Sequence, residues 1–175
     1  MKYNKRYLIA TIILTVLAVS FDSYIIMHSC FNGDKSTESS QVVVHLLQSI
    51  INTFKKDAIN ESNIGTFSSI VRKLVGHFGA FVVAGLLNSI SCYLWINKQK
   101  WYKHFYGIGI SLSFGLFLAI LTEVIQLFIP QRSGQFTDIL IDFSGYILGT
   151  SLVILFLFLF IKHHQKDKEK EENAV

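Results

Sequence analysis

Proline is almost missing from this chain, since Pro130 is the single one in 175 residues. That excludes Pro-rich linkers and leaves long helices uninterrupted. Cysteine is scarce too, and Cys30 and Cys92 alone are too few for a disulfide-stapled scaffold. Charged residues make up 16%, below the ~25% usual in soluble domains, while 51% are hydrophobic. The composition is that of a membrane protein. Motifs of familiar enzymes are lacking as well: there is no nucleophile elbow, no His-Glu-x-x-His pair and no glycine-rich phosphate loop.

What the chain does have is four apolar runs, at residues 7–28, 74–96, 105–129 and 139–161. Each is long enough for the ~20 helical residues that cross ~30 Å of hydrocarbon. The fold expected is all-α, a polytopic membrane protein built as a four-transmembrane-helix bundle in one domain, residues 1–162. An outer loop at 29–73 joins the first two spans, and 163–175 read as a disordered cytoplasmic tail of mixed lysines and acids. The basic start "MKYNKR", with Ala18, Val19 and Ser20 closing an apolar stretch, has the outline of a signal peptide; because the apolar character runs on to Met27, a retained helix is the better reading.

Orientation follows from lysine and arginine in the flanks. Ten of them (Lys2, Lys5, Arg6, Lys98, Lys100, Lys103, Lys162, Lys166, Lys168 and Lys170) fall on one side of the four-span arrangement, against six (Lys35, Lys55, Lys56, Arg72, Lys73 and Arg132) on the other. The first side is predicted to be cytoplasmic, with both termini there. The net charge of +4 thus reports topology, and no folded basic domain exists to carry nucleic acid. Cys30 and Cys92 belong to opposite membrane faces, ~30 Å apart at 1.5 Å per residue, so no intrachain disulfide is expected. Neither a metal centre nor a cofactor is expected, the tail histidines His163 and His164 being at most weak ligands.

Within the outer loop, "QVVVHLLQSIINTF" puts Val43, Leu46, Leu47, Ile50, Ile51 and Phe54 on one side of a short amphipathic helix. It suits either the membrane interface or a cap on the bundle. Farther on, Ile70, Val71, Leu74, Val75 and Phe78 carry a helical period into the second span, whose helix is predicted to start near Thr66 or Ser68 as N-cap.

Each span carries one stripe of small and polar residues at helical spacing. The third has Ser111, Gly115, Ala119, Glu123 and Gln126; the fourth has Asp138, Asp142, Gly145 and Gly149. In the second come Lys73, His77, Ala80, Ala84, Asn88 and Ser91, and in the first Thr11, Thr15, Ala18 and Asp22. Small residues let transmembrane helices approach closely, so these stripes mark the faces turned inward. A lipid-facing charge at mid-membrane costs ~3 kcal/mol on insertion scales, which requires the ionisable groups to share those faces. Taking Pro130 as the end of the third helix, Glu123, His77, Asp142 and Asp22 lie at a similar depth, in a polar pocket open to the exterior and rimmed by Arg72, Lys73, Arg132 and Asp138. The alternative is a structural network in which Glu123 and Asp142 neutralise the nearby bases and fix helix register.

Several short pieces occur in the order in which they stand in one known family: "SCFNGDKS" at 29–36, "RKLVGHF" at 72–78, "EVIQ" at 123–126, Pro130 with Arg132, and "DILIDFSGYILG" at 138–149. On these the chain resembles the VanZ-like family, small bacterial membrane proteins named after an accessory protein for teicoplanin resistance, from about Tyr7 to Lys162. The resemblance implies an outward-facing polar site and a link to glycopeptide susceptibility, without an established reaction. This chain departs from the family's pattern in having Asp142 where asparagine is usual, and Ala80 and Phe81 where glutamate and tyrosine are frequent.

Two functions fit. As a binding protein, the pocket would hold the headgroup of a membrane lipid or lipid-linked cell-wall precursor, with Arg72, Lys73 and Arg132 on phosphate and Gln126, Asp138 and Asp22 on sugar or peptide donors. As a hydrolase or transferase on the same headgroup, it would use Glu123 as general base, His77 as acid or base, and Asp142 beside them. Asp138, Asp142 and Glu123 together also offer oxygen ligands for magnesium or calcium, an unspecific pattern. A proton-coupled transporter fits less well, because the small-residue stripes leave little room for a cytoplasmic half-channel.

Overall fold

In the computed structural model, which describes residues 5–96 and 102–172, all regular structure is helical. Of the bases used for orientation, Lys2, Lys98 and Lys100 lie outside the described residues. The helices are α1 (Lys5–Ser29), α2 (Gly33–Phe54), α3 (Ile64–Val71), a π-helical segment (Arg72–Gly79), α4 (Ala80–Ile96), α5 (Tyr102–Gln126) and α6 (Phe136–Glu172). Among the described residues four helices are long and apolar enough to cross a membrane: Lys5–Ser29, the continuous rod Ile64–Ile96, Tyr106–Gln126 and Phe136–Phe160.

Burial runs opposite to that of a soluble protein. Thr11, Asp22, Ser111, Thr122, Glu123, Asp142 and Thr150 are buried, while Ile9, Ile13, Val16, Phe117, Phe156 and Phe158 are exposed on the outer surface. A lipid environment explains both halves, since apolar side chains lose nothing by facing acyl chains and polar groups must find partners inside. The chain is a multi-pass membrane protein.

Small residues set the packing. A side chain on Gly145 would strike the carbonyl oxygen of Phe78, one on Gly149 that of Val82, and one on Gly85 that of Tyr146. The α3–α4 rod and α6 therefore run parallel at backbone contact, while α1 and α5 lie antiparallel to them. Along the α1–α4 seam, Thr15 and Ser91 hydroxyls bond at 2.8 Å, Trp95 Nε1 donates to Thr15 at 3.0 Å, and Tyr7 reaches the Leu94 carbonyl. Buried Tyr146 joins Ser111 at 3.1 Å, and Ser89 links Ser111 to Thr150 at 3.1 and 2.9 Å. This hydroxyl chain fills the half of the bundle remote from the α5–α6 loop.

Four local expectations change. The second-span helix starts at Ile64 after Asn63, not at Thr66 or Ser68, because Asn63 is already tied into the preceding turn, accepting from Asn60 N–H at 2.9 Å and donating to Ala58 O at 2.8 Å. The third-span helix stops at Gln126, four residues short of Pro130, and tighter bonds (Phe128 N–H to Ile125 O, Ile129 N–H to Gln126 O) turn the chain before the proline. The loop helix α2 is longer than the short helix expected, at 22 residues, with Val44 buried and Val42, Leu46, Ile50 and Phe54 exposed. It is pinned by Asn52, whose amide bonds both the N–H and the carbonyl of Ile59 at 2.9 Å. Lastly, α6 stays helical to Glu172, through the segment expected to be irregular, as suits a Lys-, Glu- and Gln-rich extension of an existing helix, which needs no new nucleus.

Gly149→Leu is expected to lower stability by about 1–3 kcal/mol or more through overpacking, whereas Gly109→Ala, with nothing within 4 Å of the added carbon, should be neutral or slightly stabilising. Thermal unfolding in detergent checks the pair, and equal losses would refute the backbone-contact account.

Candidate functional site

The polar residues at the α5–α6 loop end come together through register. With α6 and the α3–α4 rod at backbone contact, a spacing of four on each brings Lys73 to Asp138 and His77 to Asp142. The π-helical segment carries Arg72, Lys73 and His77. Its i to i+5 bonding stacks residues five apart, which turns Arg72 and His77 toward the same side. No sequence signal marked this segment, although π-helical turns are frequent at functional sites.

His77 Nδ1 lies 3.1 Å from Asp142 Oδ1 and 3.9 Å from Glu123 Oε1. Glu123 is 3% exposed and Asp142 0%. Glu123 is further held by Gln126 Nε2, which donates to Oε1 at 2.9 Å, and by the backbone N–H of Gln135, which donates to Oε2 at 2.8 Å. That second bond ties the α5–α6 loop to the bundle, and a side chain on Gly134 would collide with the Glu123 carbonyl. Lys73, paired with Asp138, also donates to Gln135 Oε1 at 3.3 Å. The loop residue Gln135 thus contributes twice, a role that its sequence context did not signal.

Arg132 leaves the left-handed turn at Gln131 (φ 61°) and folds back, so that its Nε donates to Gln126 Oε1 at 3.3 Å. Its Nη1 is fully buried and has no hydrogen-bond partner among the described residues. Burial first, and then the Arg72 guanidinium, push the pKa of Arg132 below its ordinary value. Neither guanidinium forms an ion pair with any described carboxylate.

Arg72, His77, Gln126, Arg132 and Asp142 line one cavity of about 530 Å³. Its remaining wall is largely apolar, with Phe21, Tyr24 and Ile25 from α1 and Val71, Val75 and Val83 from the rod. Tyr24, Val75 and Val83 are 50%, 47% and 40% exposed, so this wall reaches the lipid-facing surface. Ser29, the first residue of the 29–36 motif, and His28, which the sequence did not single out, also line the cavity; its apolar side was likewise unmarked.

The structure thus gathers Arg72, His77, Gln126, Arg132 and Asp142 at the cavity, sets Glu123 directly behind them, and places Lys73 and Asp138 at the neighbouring rim. Asp22 it does not bring in. Asn88 Nδ2 donates to both Asp22 carboxylate oxygens at 3.0 and 3.1 Å, and to Ala84 O at 3.0 Å. The α1 neighbours of Asp22, Phe21 and Ile25, line the cavity, but the Asp22 side chain turns along the α1–α4 seam to Asn88, eleven residues beyond His77.

A membrane bundle with these helix-end groups can be compared with known families. Over residues 7–160 the sequence matches the family described as VanZ/LLP1. The chain belongs to the VanZ/LLP1 family. No curated protein and no solved structure matches it. The VanZ/LLP1 match extends from α1 into α6 and so covers every residue of the cavity.

Because Asp22 and Asn88 pair away from the cavity, Asn88→Leu should cost about 1–3 kcal/mol of stability through the unpaired carboxylate while leaving ligand retention at the cavity unchanged. Melting curves and lipid analysis of the same preparation check this; loss of ligand without loss of stability would move Asp22 into the site.

Proposed function

We propose that this VanZ/LLP1 protein uses the cavity to bind the anionic headgroup of a membrane lipid or lipid-linked cell-envelope precursor. The observation that carries this reading is the buried, unpartnered Nη1 of Arg132 beside the Arg72 guanidinium. Two cations held together without a carboxylate between them repel, and a phosphate accepting from both relieves the repulsion and satisfies the orphaned donor. The apolar wall supports a lipid in particular: acyl chains can leave the cavity past Tyr24, Val75 and Val83 into the bilayer while the headgroup stays on the arginines.

The excess of lysine and arginine at the other end of the bundle favours a cavity that faces the outer leaflet of a bacterial cytoplasmic membrane, with both termini in the cytoplasm. Ligands of that leaflet include cell-wall precursors, and sequestering them would alter susceptibility to a glycopeptide such as teicoplanin, as the family name suggests. A second reading rests on His77, set between two buried carboxylates. In it Glu123 removes a proton from water or an acceptor hydroxyl, His77 protonates the leaving group, and the arginines stabilise developing charge on the headgroup.

Lipid mass spectrometry on protein purified in mild detergent tests the first reading. The wild type should retain a phosphate-bearing lipid, and Arg132→Ala should retain at least about tenfold less, since a charge-assisted hydrogen bond contributes about 1.5–3 kcal/mol. Its melting temperature should fall only slightly, because the one hydrogen bond lost is the Nε bond to Gln126 while the unpartnered Nη1 goes with it. Equal lipid in both preparations would sink the reading. For the second reading, turnover on that lipid should vanish in Glu123→Gln while its binding persists.

A further inference from the structure

Three helices deliver three metal-ligating side chains to one point. His77 on the π-helical segment, Glu123 on α5 and Asp142 on α6 place one ring nitrogen and two carboxylate oxygens within 4.8 Å of one another. We propose that these three residues bind one first-row divalent cation, of the zinc or manganese kind, with an open coordination position facing the cavity.

Geometry supports it first. Donors about 2.0–2.2 Å from a tetrahedral centre are about 3.4 Å apart. Two of the separations, His77 Nδ1 to Asp142 Oδ1 at 3.1 Å and His77 Nδ1 to Glu123 Oε1 at 3.9 Å, already bracket that value. The candidate ligand atoms all lie within 4.8 Å of one another, so rotation of the carboxylates can bring the third separation toward the same value. Imidazole together with carboxylate selects zinc, manganese or iron over magnesium and calcium, which favour all-oxygen sets. A nitrogen donor at Nδ1 requires the ring proton on Nε2.

Surroundings suit a metal too. Gln126 and the Gln135 N–H both donate to Glu123, the kind of outer support that orients ligating carboxylates. Charge supplies an independent pointer. Two carboxyl groups face one imidazole, and their low exposure (15% for the His77 side chain, 3% and 1% for the acids) leaves water little access, so a bound cation would take over the role of solvent for them. On the other side of the same cavity stand Arg72 and the orphaned Nη1 of Arg132, held off Glu123 by the intervening Gln126. Acids and guanidiniums that share a cavity without pairing leave both complements open: a cation for the acidic wall and an anion for the basic one. A phosphate oxygen at the open metal position, with its other oxygens on the arginines, satisfies both at once.

The metal site stands apart from the headgroup reading, so the experiment uses the metal alone. Full-length protein carrying His163→Ala and His164→Ala, to remove the adjacent tail histidines, is stripped with chelator and reloaded with zinc or manganese. Elemental analysis after gel filtration should find about one ion per chain, and the melting temperature should rise with metal concentration. Asp142→Asn and His77→Gln should each weaken binding at least about 100-fold, beyond the loss typical of outer-shell partners, with helicity by circular dichroism showing that each variant folds. No retained ion, or undiminished retention in folded Asp142→Asn and His77→Gln, overturns the proposal. Lipid measured in the same samples separates the two readings: metal without lipid sinks only the headgroup, and lipid without metal only the cation.

Discussion

Backbone contact between α6 and the rod Ile64–Ile96 is the constraint on which the rest depends. Gly145 against Phe78 O and Gly149 against Val82 O allow no side chain at either position, and so fix how far and in what register the two helices meet. Register is chemistry here. A shift by one helical turn would separate Lys73 from Asp138 and His77 from Asp142 together, because both pairs are spaced by four on both helices. The glycines sit deep and the ionic pairs near the loop end, so tight packing in one half of the bundle positions charge in the other. That division is needed in lipid, where apolar side chains gain little by leaving one apolar medium for another and close van der Waals contact must supply the association.

Much of this was legible because the membrane imposes a single rule on every span. Ser111, Gly115, Ala119 and Glu123 are all buried, as are Asp138, Asp142, Gly145 and Gly149, and spacing alone predicted both sets. Pairing between helices was not legible. Asp22 has the depth of a site residue when counted from the end of its own span, yet its partner is Asn88, a choice set by how α1 crosses α4. The π-helical segment left no trace in composition, being a matter of backbone hydrogen bonding in an ordinary-looking run, "RKLVGHFG". Pro130 rightly signalled a boundary but misplaced it, since the chain turns early, at Gln126, so that Gln135 can return its N–H to Glu123.

A purely structural network accounts for only part of the loop end. Glu123 is satisfied by Gln126 and the Gln135 N–H, Asp142 by His77, and Asp138 by Lys73; each acid could be there to hold a helix in place. Scaffolding of that sort leaves no group buried without a partner, because an unmade hydrogen bond costs about 1–3 kcal/mol and nothing in the fold repays it. Arg132 breaks the pattern. Its Nε is used, its Nη1 is buried and idle, and among the neighbouring charges the Arg72 guanidinium acts on it most strongly. Gln126 lies between Arg132 and Glu123, bonded to both, where direct contact would have formed an ordinary ion pair. Separation of opposite charges by a neutral amide is costly to stability and useful to binding, since it keeps each charge available to something that enters from outside. The apolar wall on the opposite side of the cavity, with Tyr24, Val75 and Val83 exposed, joins these separated charges to the lipid-facing surface of the bundle.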